Sequence, residues 1–376
     1  MSFSAADLAL VVDADCADAA AVLLEILRHH FAGRSEPMIW DSRPLCDPLL
    51  LREVARLNKV ALFMLPCRDA LVDLDAGFAG WLDQVRLVTM AMNRRNLWIS
   101  AQLSDRLTQE GLAHVQFKGP IQQILLYGTP DMKPSGDIDI LLHRQDLRLA
   151  RQVLEDMGYA AQQDSTGDWS LRFLGEQHFL RDARDPVIDL HIRLQQPGSP
   201  APRGIMAVLD RAERIAVGET TVPVMGRIDR CLIAAISLVK AMFGHEPCLG
   251  YVMDMRAALD LLLPGEADAL MRISRDHRLA ETLAVACRAV GLLFPGGRHV
   301  GGSATVPLPA VSDADLARML VTPWDRHLRW PRRREVLWSM CGGRPLRFAG
   351  EAVRALSSEG YRRASTRLSY RGEPAR

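Results

Sequence analysis

Lysine is scarce in this chain. Of 46 basic residues only Lys59, Lys118, Lys133 and Lys240 are lysines, and arginine supplies the rest. Excess charge of either sign is missing too. A formal net charge of +1 gives no global field of the kind that draws a protein onto nucleic acid or an anionic membrane. No apolar run approaches the ~20 residues that a membrane-crossing helix needs, so a soluble chain is expected. The seven cysteines (Cys16, Cys46, Cys67, Cys231, Cys248, Cys287, Cys341) are odd in number and show no CxxC spacing. That pattern argues against a disulfide framework or a zinc site and for reduced thiols, as in a cytoplasm. The first twenty residues are acidic, with no basic segment ahead of an apolar one, so no secretory signal is expected.

With 376 residues, of which 48% are hydrophobic, the chain can bury the cores of two or three domains. Residues 1–76 read as an N-terminal helical region, with apolar residues at helical spacing in CADAAAVLLEILRHHF and LCDPLLLREVARLNKVALFML. His29 and His30 close the first of these helices. Residues 77–200 read as a mixed core. A long helix runs from Gly77 to Gly111, LAHVQF turns to strand character, and RQDLRLARQVLEDMGY is an amphipathic helix. Short β-like pieces follow, namely AAQQ, WSLRFL, QHFLRD and VIDLHIRL. Residues 201–294 read as helical. Residues 295–376 join a Gly/Pro-rich linker, PGGRHVGGSATVPLP, to an arginine-rich segment in which Arg332, Arg333 and Arg334 are consecutive and tryptophans are interleaved. The expected class is α+β, a mixed sheet with flanking helices and helical regions at both ends.

The stretch VQFKGPIQQILLYGTPDMKPSGDIDILL (115–142) carries the chemistry. It reads as strand, Lys118-Gly119-Pro120, helix, turn-rich loop and second strand. Alternate residues of a strand share a face, so Asp137 and Asp139 lie side by side while Ile138 and Ile140 enter a core. Neighbouring carboxylates repel unless a cation or a shared proton relieves them. VIDLHIRL repeats the arrangement, with Val187, Asp189 and His191 on one face and Ile188, Leu190 and Ile192 on the other. A glycine between strand and helix lets backbone N–H groups approach a phosphate, and the helix N-terminus adds partial positive charge. Pro120 suits a first helical position. Lys118 and Lys133 flank the motif, choices against the composition. An oxygen-rich carboxylate array suits Mg²⁺ or Mn²⁺ and the phosphoryl chemistry such ions support.

Taken in order, FKGPIQQILLYGTPDMKPSGDIDILL, ARQVLEDMGY and VIDLHIRL resemble the DNA polymerase β-like nucleotidyltransferase superfamily. They are most similar to a bacterial group of uncharacterised nucleotidyltransferases with a Lys-Gly, Asp-x-Asp, Asp-x-His pattern. The resemblance, which covers roughly 85–200, implies a nucleotidyltransferase-type mixed sheet. It also implies a catalytic and metal-binding set Asp137, Asp139 and Asp189, with Mg²⁺ or Mn²⁺ as cofactor. Lys118, Gly119, Ser135, Lys133 and His191 would bind the NTP co-substrate. Where the wider superfamily has a serine after the glycine, this chain has Pro120, and Ser135 or Lys118 is the expected substitute for that phosphate contact. The implied activity is transfer of NMP to a hydroxyl-type acceptor on a small molecule, peptide or protein, with nucleic acid disfavoured. A degenerate binding scaffold and a kinase-like phosphoryl transfer stay open as alternatives. For Lys133, Arg144 and His143 a solvated surface position is the expectation. His245 and Asp254 are expected near a helix end and on a polar helix face, although the resembled group also tends to place a His and an Asp facing the cleft.

Overall fold

The computed structural model describes residues 15–32, 38–40, 44–162, 169–194, 199–296 and 311–371. Helix α1 (Ala17–Phe31) buries Ala19, Val22, Leu23, Ile26 and Leu27, the stripe its periodicity predicts. Helix α2 (Pro48–Leu57) opens on a proline in its first turn and on Asp47, whose carboxylate accepts from Leu49 N at 2.8 Å. A 3-10 turn (Ala61–Cys67) leads to α3 (Arg68–Leu74) and then to α4 (Gly77–Gln109), 33 residues long. Gly111 past its end takes a left-handed φ of 71°.

After α4 come β1 (His114–Gln116), α5 (Gly119–Tyr127), β2 (Asp137–Leu142), α6 (Leu147–Asp156), β3 (Ala160–Ala161), β4 (Glu176–Leu180) and β5 (Val187–His191). Two further strands, β6 (Glu213–Val217) and β7 (Thr220–Val224), form a hairpin. The seven strands make one sheet in the order β3-β4-β5-β2-β1-β7-β6. β2 runs parallel to β5 and antiparallel to β1, and β7 joins β1 in parallel. The mixed α+β class is therefore as expected. One sheet face, with Ile138, Ile140, Leu142, Ile188 and Leu190, packs on Ile99, Leu103 and Leu107 of α4 and on Val153 and Leu154 of α6. The carboxylates take the opposite face.

Two expectations fail locally. WSLRFL is helical: Ser170–Leu174 forms a π turn, and β4 begins only after Gly175, at φ 77°. Its aromatic residues pack on the C-terminal helix instead of entering the sheet, with the Trp169 indole donating to Ser358 Oγ at 2.9 Å and Phe173 lying 5.5 Å from Tyr361. The stretch after residue 200, expected to be helical, contains the β6–β7 hairpin. Its β-branched residues satisfy an edge that β1 would otherwise leave unpaired.

The helical part comprises α7 (Arg227–Phe243), α8 (Leu249–Asp260), α9 (Glu266–Asp276), α10 (Ala280–Leu293), α11 (Asp313–Val321), α12 (Arg333–Met340) and α13 (Pro345–Arg371). One apolar cluster joins α1, α2, α7, α8, α10 and α11, so the two ends of the chain share a core. Arg332, Arg333 and Arg334 are exposed. Most of the expected linker, 297–309, and the first fourteen residues lie outside the described residues. All seven cysteines are free, and no described helix is long and apolar enough to cross a membrane.

Candidate functional site

The strand register assembles the site. In the parallel β2–β5 pair Asp139 lies opposite Asp189, and Asp137 is two residues earlier, opposite Val187. Antiparallel β4 sets His178 beside Asp189 and Glu176 beside His191. The result is a polar cleft of about 280 Å³ whose walls include Asp137, Asp139, Asp189, His178, His191, Gly119 and Ser135. All four lysines of the chain line this one cleft, and no arginine among the described residues does. An arginine fork would grip these carboxylates bidentately, whereas an ammonium makes point contacts and can be displaced.

Asp139 is 2% exposed. Its Oδ1 accepts from Lys118 Nζ at 3.0 Å and faces His191 Nε2 at 3.0 Å. Burial opposes ionisation, but the Lys118 ammonium and His191 outweigh it and hold the carboxyl well below the usual carboxylate range. Burial likewise opposes the charged form of Lys118, and Asp139 and Asp137 more than offset it, so this ammonium stays protonated. Asp137 behaves oppositely. Water reaches it, yet the cleft walls surround its carboxyl, and this desolvation together with repulsion from Asp139 pushes its pKa up. Asp189 pairs with His178 Nδ1 at 2.6 Å. That hydrogen bond raises the imidazole against the opposing effect of burial.

These residues fit a divalent cation. Donor atoms of Asp139, Asp189 and His191 all lie within 4.8 Å of one another. Asp139 Oδ2 is buried with no hydrogen-bond partner, an acceptor in need of a cation. His191 turns Nε2 to Asp139 Oδ1, a contact that orients that carboxylate toward the cleft.

Gly119, Ser135 and Lys133, the residues expected near a phosphate, line this same cleft. Gly119 takes φ 72°, and a Cβ there would come within 3.0 Å of the Asp137 carbonyl, so the turn needs glycine twice over. Ser135 Oγ would lie 4.0 Å from that same Cβ, which sets its hydroxyl beside the turn that Pro120 leaves without one. The loop carrying Lys133 and Ser135 is held by side-chain amides. Asn93 Nδ2 donates to the Pro130 and Lys133 carbonyls at 2.6 and 2.8 Å, and Asn93 Oδ1 accepts from Ser135 N at 3.0 Å. Asn96 Nδ2 donates to Ser135 O at 2.5 Å, and Gln123 Oε1 accepts from both Met132 N and Lys133 N at 2.9 Å.

Two surface expectations are corrected. Lys133 is not a solvated surface charge: its side chain is 13% exposed and ion-paired with Asp254. Asp254 is not on a polar helix face. It is 4% exposed, accepts from Tyr127 Oη at 2.7 Å and lines the cleft. His245 stacks on Trp330 at 3.8 Å and Arg144 is exposed; neither is among the residues lining the cleft. Sequence reading missed His178, Glu176, Lys59, Lys240 and the amides of Asn93, Asn96 and Gln123. Of these, only Lys59 and Lys240 carried a signal, their rarity.

Among solved structures, an antigenic nucleotidyltransferase-like protein from Paracoccidioides brasiliensis aligns over 50% of this chain and 92% of its own, at 13% identity and a TM-score of 0.31. A likeness that faint says nothing of shared activity. No curated protein matches the chain. A family model described as uncharacterised nucleotidyltransferase matches residues 74–295, a span that takes in both acidic strands, the Lys-Gly turn and α8. Since that match extends over more than half of the sequence, this protein belongs to the family of uncharacterised nucleotidyltransferases.

Proposed function

We propose that the protein is a metal-dependent nucleotidyltransferase that moves NMP from an NTP to a hydroxyl on a small-molecule, peptide or protein acceptor. The observation that carries this reading is Asp139 opposite Asp189, with the buried Oδ2 of Asp139 unpartnered and an ammonium already neutralising Oδ1. Asp137, Asp139 and Asp189 would hold Mg²⁺ or Mn²⁺, which supplies charge neutralisation at the phosphate oxygens. Gly119 lets the α5 N-terminus approach the triphosphate, and Ser135 and Lys133 face it from the amide-braced loop. Asp189, fixed by His178, accepts the proton of the acceptor hydroxyl. The acceptor oxygen forms a bond to the α-phosphorus, the bond from that phosphorus to the β-phosphate oxygen breaks, and pyrophosphate leaves. His191 acts only by orienting Asp139.

Isothermal titration of NTP with and without Mg²⁺, on the wild type and on Asp137→Ala, tests the reading. Mg²⁺-dependent binding that disappears in Asp137→Ala is expected. NTP binding that ignores both the metal and the substitution would sink the proposal, as would an acceptor gaining a bare phosphate in the mass spectrum.

A further inference from the structure

Two of the four cleft lysines are engaged, Lys118 with Asp139 and Lys133 with Asp254. The Lys59 ammonium makes no hydrogen bond or ion pair among the described residues, though it lines the cleft and feels Asp137, Glu246 and Asp254. Burial wins over those carboxylates and lowers its pKa. A partly buried ammonium with no carboxylate in contact gives up hydration without a partner in return.

The backbone is costly as well. Lys59 follows the C-terminus of α2 at φ 57°, the left-handed position where glycine is the ordinary occupant. Its neighbour Asn58, 2% exposed, locks that geometry. Asn58 Nδ2 donates to Val54 O at 3.0 Å and to Val321 O at 2.9 Å, and Asn58 Oδ1 accepts from Leu249 N at 3.1 Å. Gly250 N donates to Asn58 O at 3.1 Å, and a Cβ on Gly250 would meet that oxygen at 2.8 Å. Two distant segments, at 249–250 and at 321, thus converge to hold one strained lysine facing the carboxylates. Strain and an unpaired charge at one residue, over-determined by its surroundings, mark a functional position.

We infer that Lys59, contributed by the N-terminal region outside the family-matched segment, is a phosphate-binding residue of the cleft. The inference rests on the nucleotide reading of the cleft. The oxyanion it takes comes either from the triphosphate or from an anionic acceptor, and its partner is a phosphate oxygen in both cases.

The test uses the full chain, inorganic tripolyphosphate as probe, and the variants Lys59→Gly and Lys59→Arg. Lys59→Gly relieves the left-handed backbone and removes the unpaired charge, so its melting temperature rises. Its tripolyphosphate affinity falls about tenfold, the loss of one charge-assisted contact. Lys59→Arg keeps most of the affinity. If only an anionic acceptor is held, tripolyphosphate binding is equal in wild type and Lys59→Gly, which overturns the triphosphate source. If inorganic phosphate then also binds both proteins equally, the inference itself is overturned. A lower melting temperature in Lys59→Gly overturns it as well, since the lysine would then be structural. Lys59-dependent tripolyphosphate binding in a protein whose NTP binding ignores Asp137→Ala would keep this inference and refute nucleotidyl transfer.

Discussion

Replacing Lys118 by methionine isolates the charge balance at Asp139. The two groups are 3.0 Å apart and Asp139 is 2% exposed. At that separation and an effective dielectric of about 20, the Coulomb attraction is about 5 kcal/mol, reduced by the desolvation of the ammonium itself. Leaving a buried carboxylate without its cation costs about 3–5 kcal/mol, and His191 remains as a partner, so about 3 kcal/mol is expected. That corresponds to a melting temperature lower by about 4 °C in chelator-treated protein. The sign with pH follows from the direction of the shift. In the wild type the Asp139 carboxyl lies below its unfolded value, so its stabilisation is present above about pH 4 and is lost as the pH falls toward the folded value. In Lys118→Met burial dominates, the folded carboxyl rises above the unfolded value, and the variant gains on the wild type as the pH drops from 7 to 4. Adding Mg²⁺ should restore more stability to the variant than to the wild type, because the divalent ion supplies the lost charge and no ammonium competes with it. Differential scanning calorimetry across pH with and without Mg²⁺ reads all three effects. A variant as stable as the wild type in chelator, or an equal Mg²⁺ increment in both proteins, would refute the reasoning.

His178 gives a second pH signature. Its folded pKa is raised by the bond to Asp189, so the stability it contributes is full below about pH 6.5 and is lost as the pH rises through the folded value. The melting-temperature gap between wild type and His178→Gln should therefore narrow from pH 6 to pH 9, and a gap that widens would contradict the Asp189 pairing. Gly119→Ala should destabilise by about 1–2 kcal/mol, since φ 72° disfavours any side chain and the added Cβ would press the Asp137 carbonyl at 3.0 Å. Urea denaturation reads that loss, and an unchanged midpoint would show that the turn relaxes freely.

The strand chemistry was legible because a period of two encodes it. Asp137, Asp139, Asp189 and His191 fall on one face with Ile138, Ile140, Ile188 and Leu190 on the other, and the parallel register needed only to bring matching parities together. His178 was hidden because its place beside Asp189 depends on an antiparallel pairing set by the turn between β4 and β5. Asn93 and Asn96 read as polar residues on a long helix, yet each is buried to serve loop carbonyls 37 or more residues away. The β6–β7 hairpin had a signal in RIAV-GE-TTVPV, short β-branched runs around a glycine, which the helix-rich flanks outweighed. Asp254 and Lys133 failed for one shared reason: each looks like a surface charge alone, and their mutual ion pair permits both to be buried.

The distribution of lysine ties these parts together. A chain that uses arginine for nearly every cation reserves its four lysines for one cleft, drawing one from the turn after α2, one from the Lys-Gly turn, one from the amide-braced loop and one from α7. Composition alone cannot explain that, because the same elements carry arginines on their other faces, such as Arg56 after Glu53 and Arg230 beside Glu213. On the proposed reading the cleft exchanges cations for a metal and releases a phosphate product, and contacts that are strong but not forked serve that. Lys118 on Asp139 is such a contact, and so is Lys133 on Asp254. An arginine at either place would fix the carboxylate in a bidentate pair that a metal or a phosphate would have to break. The scarcity of lysine and the proposed chemistry of the cleft then have one explanation: the exchangeable cations sit where that chemistry would need exchange.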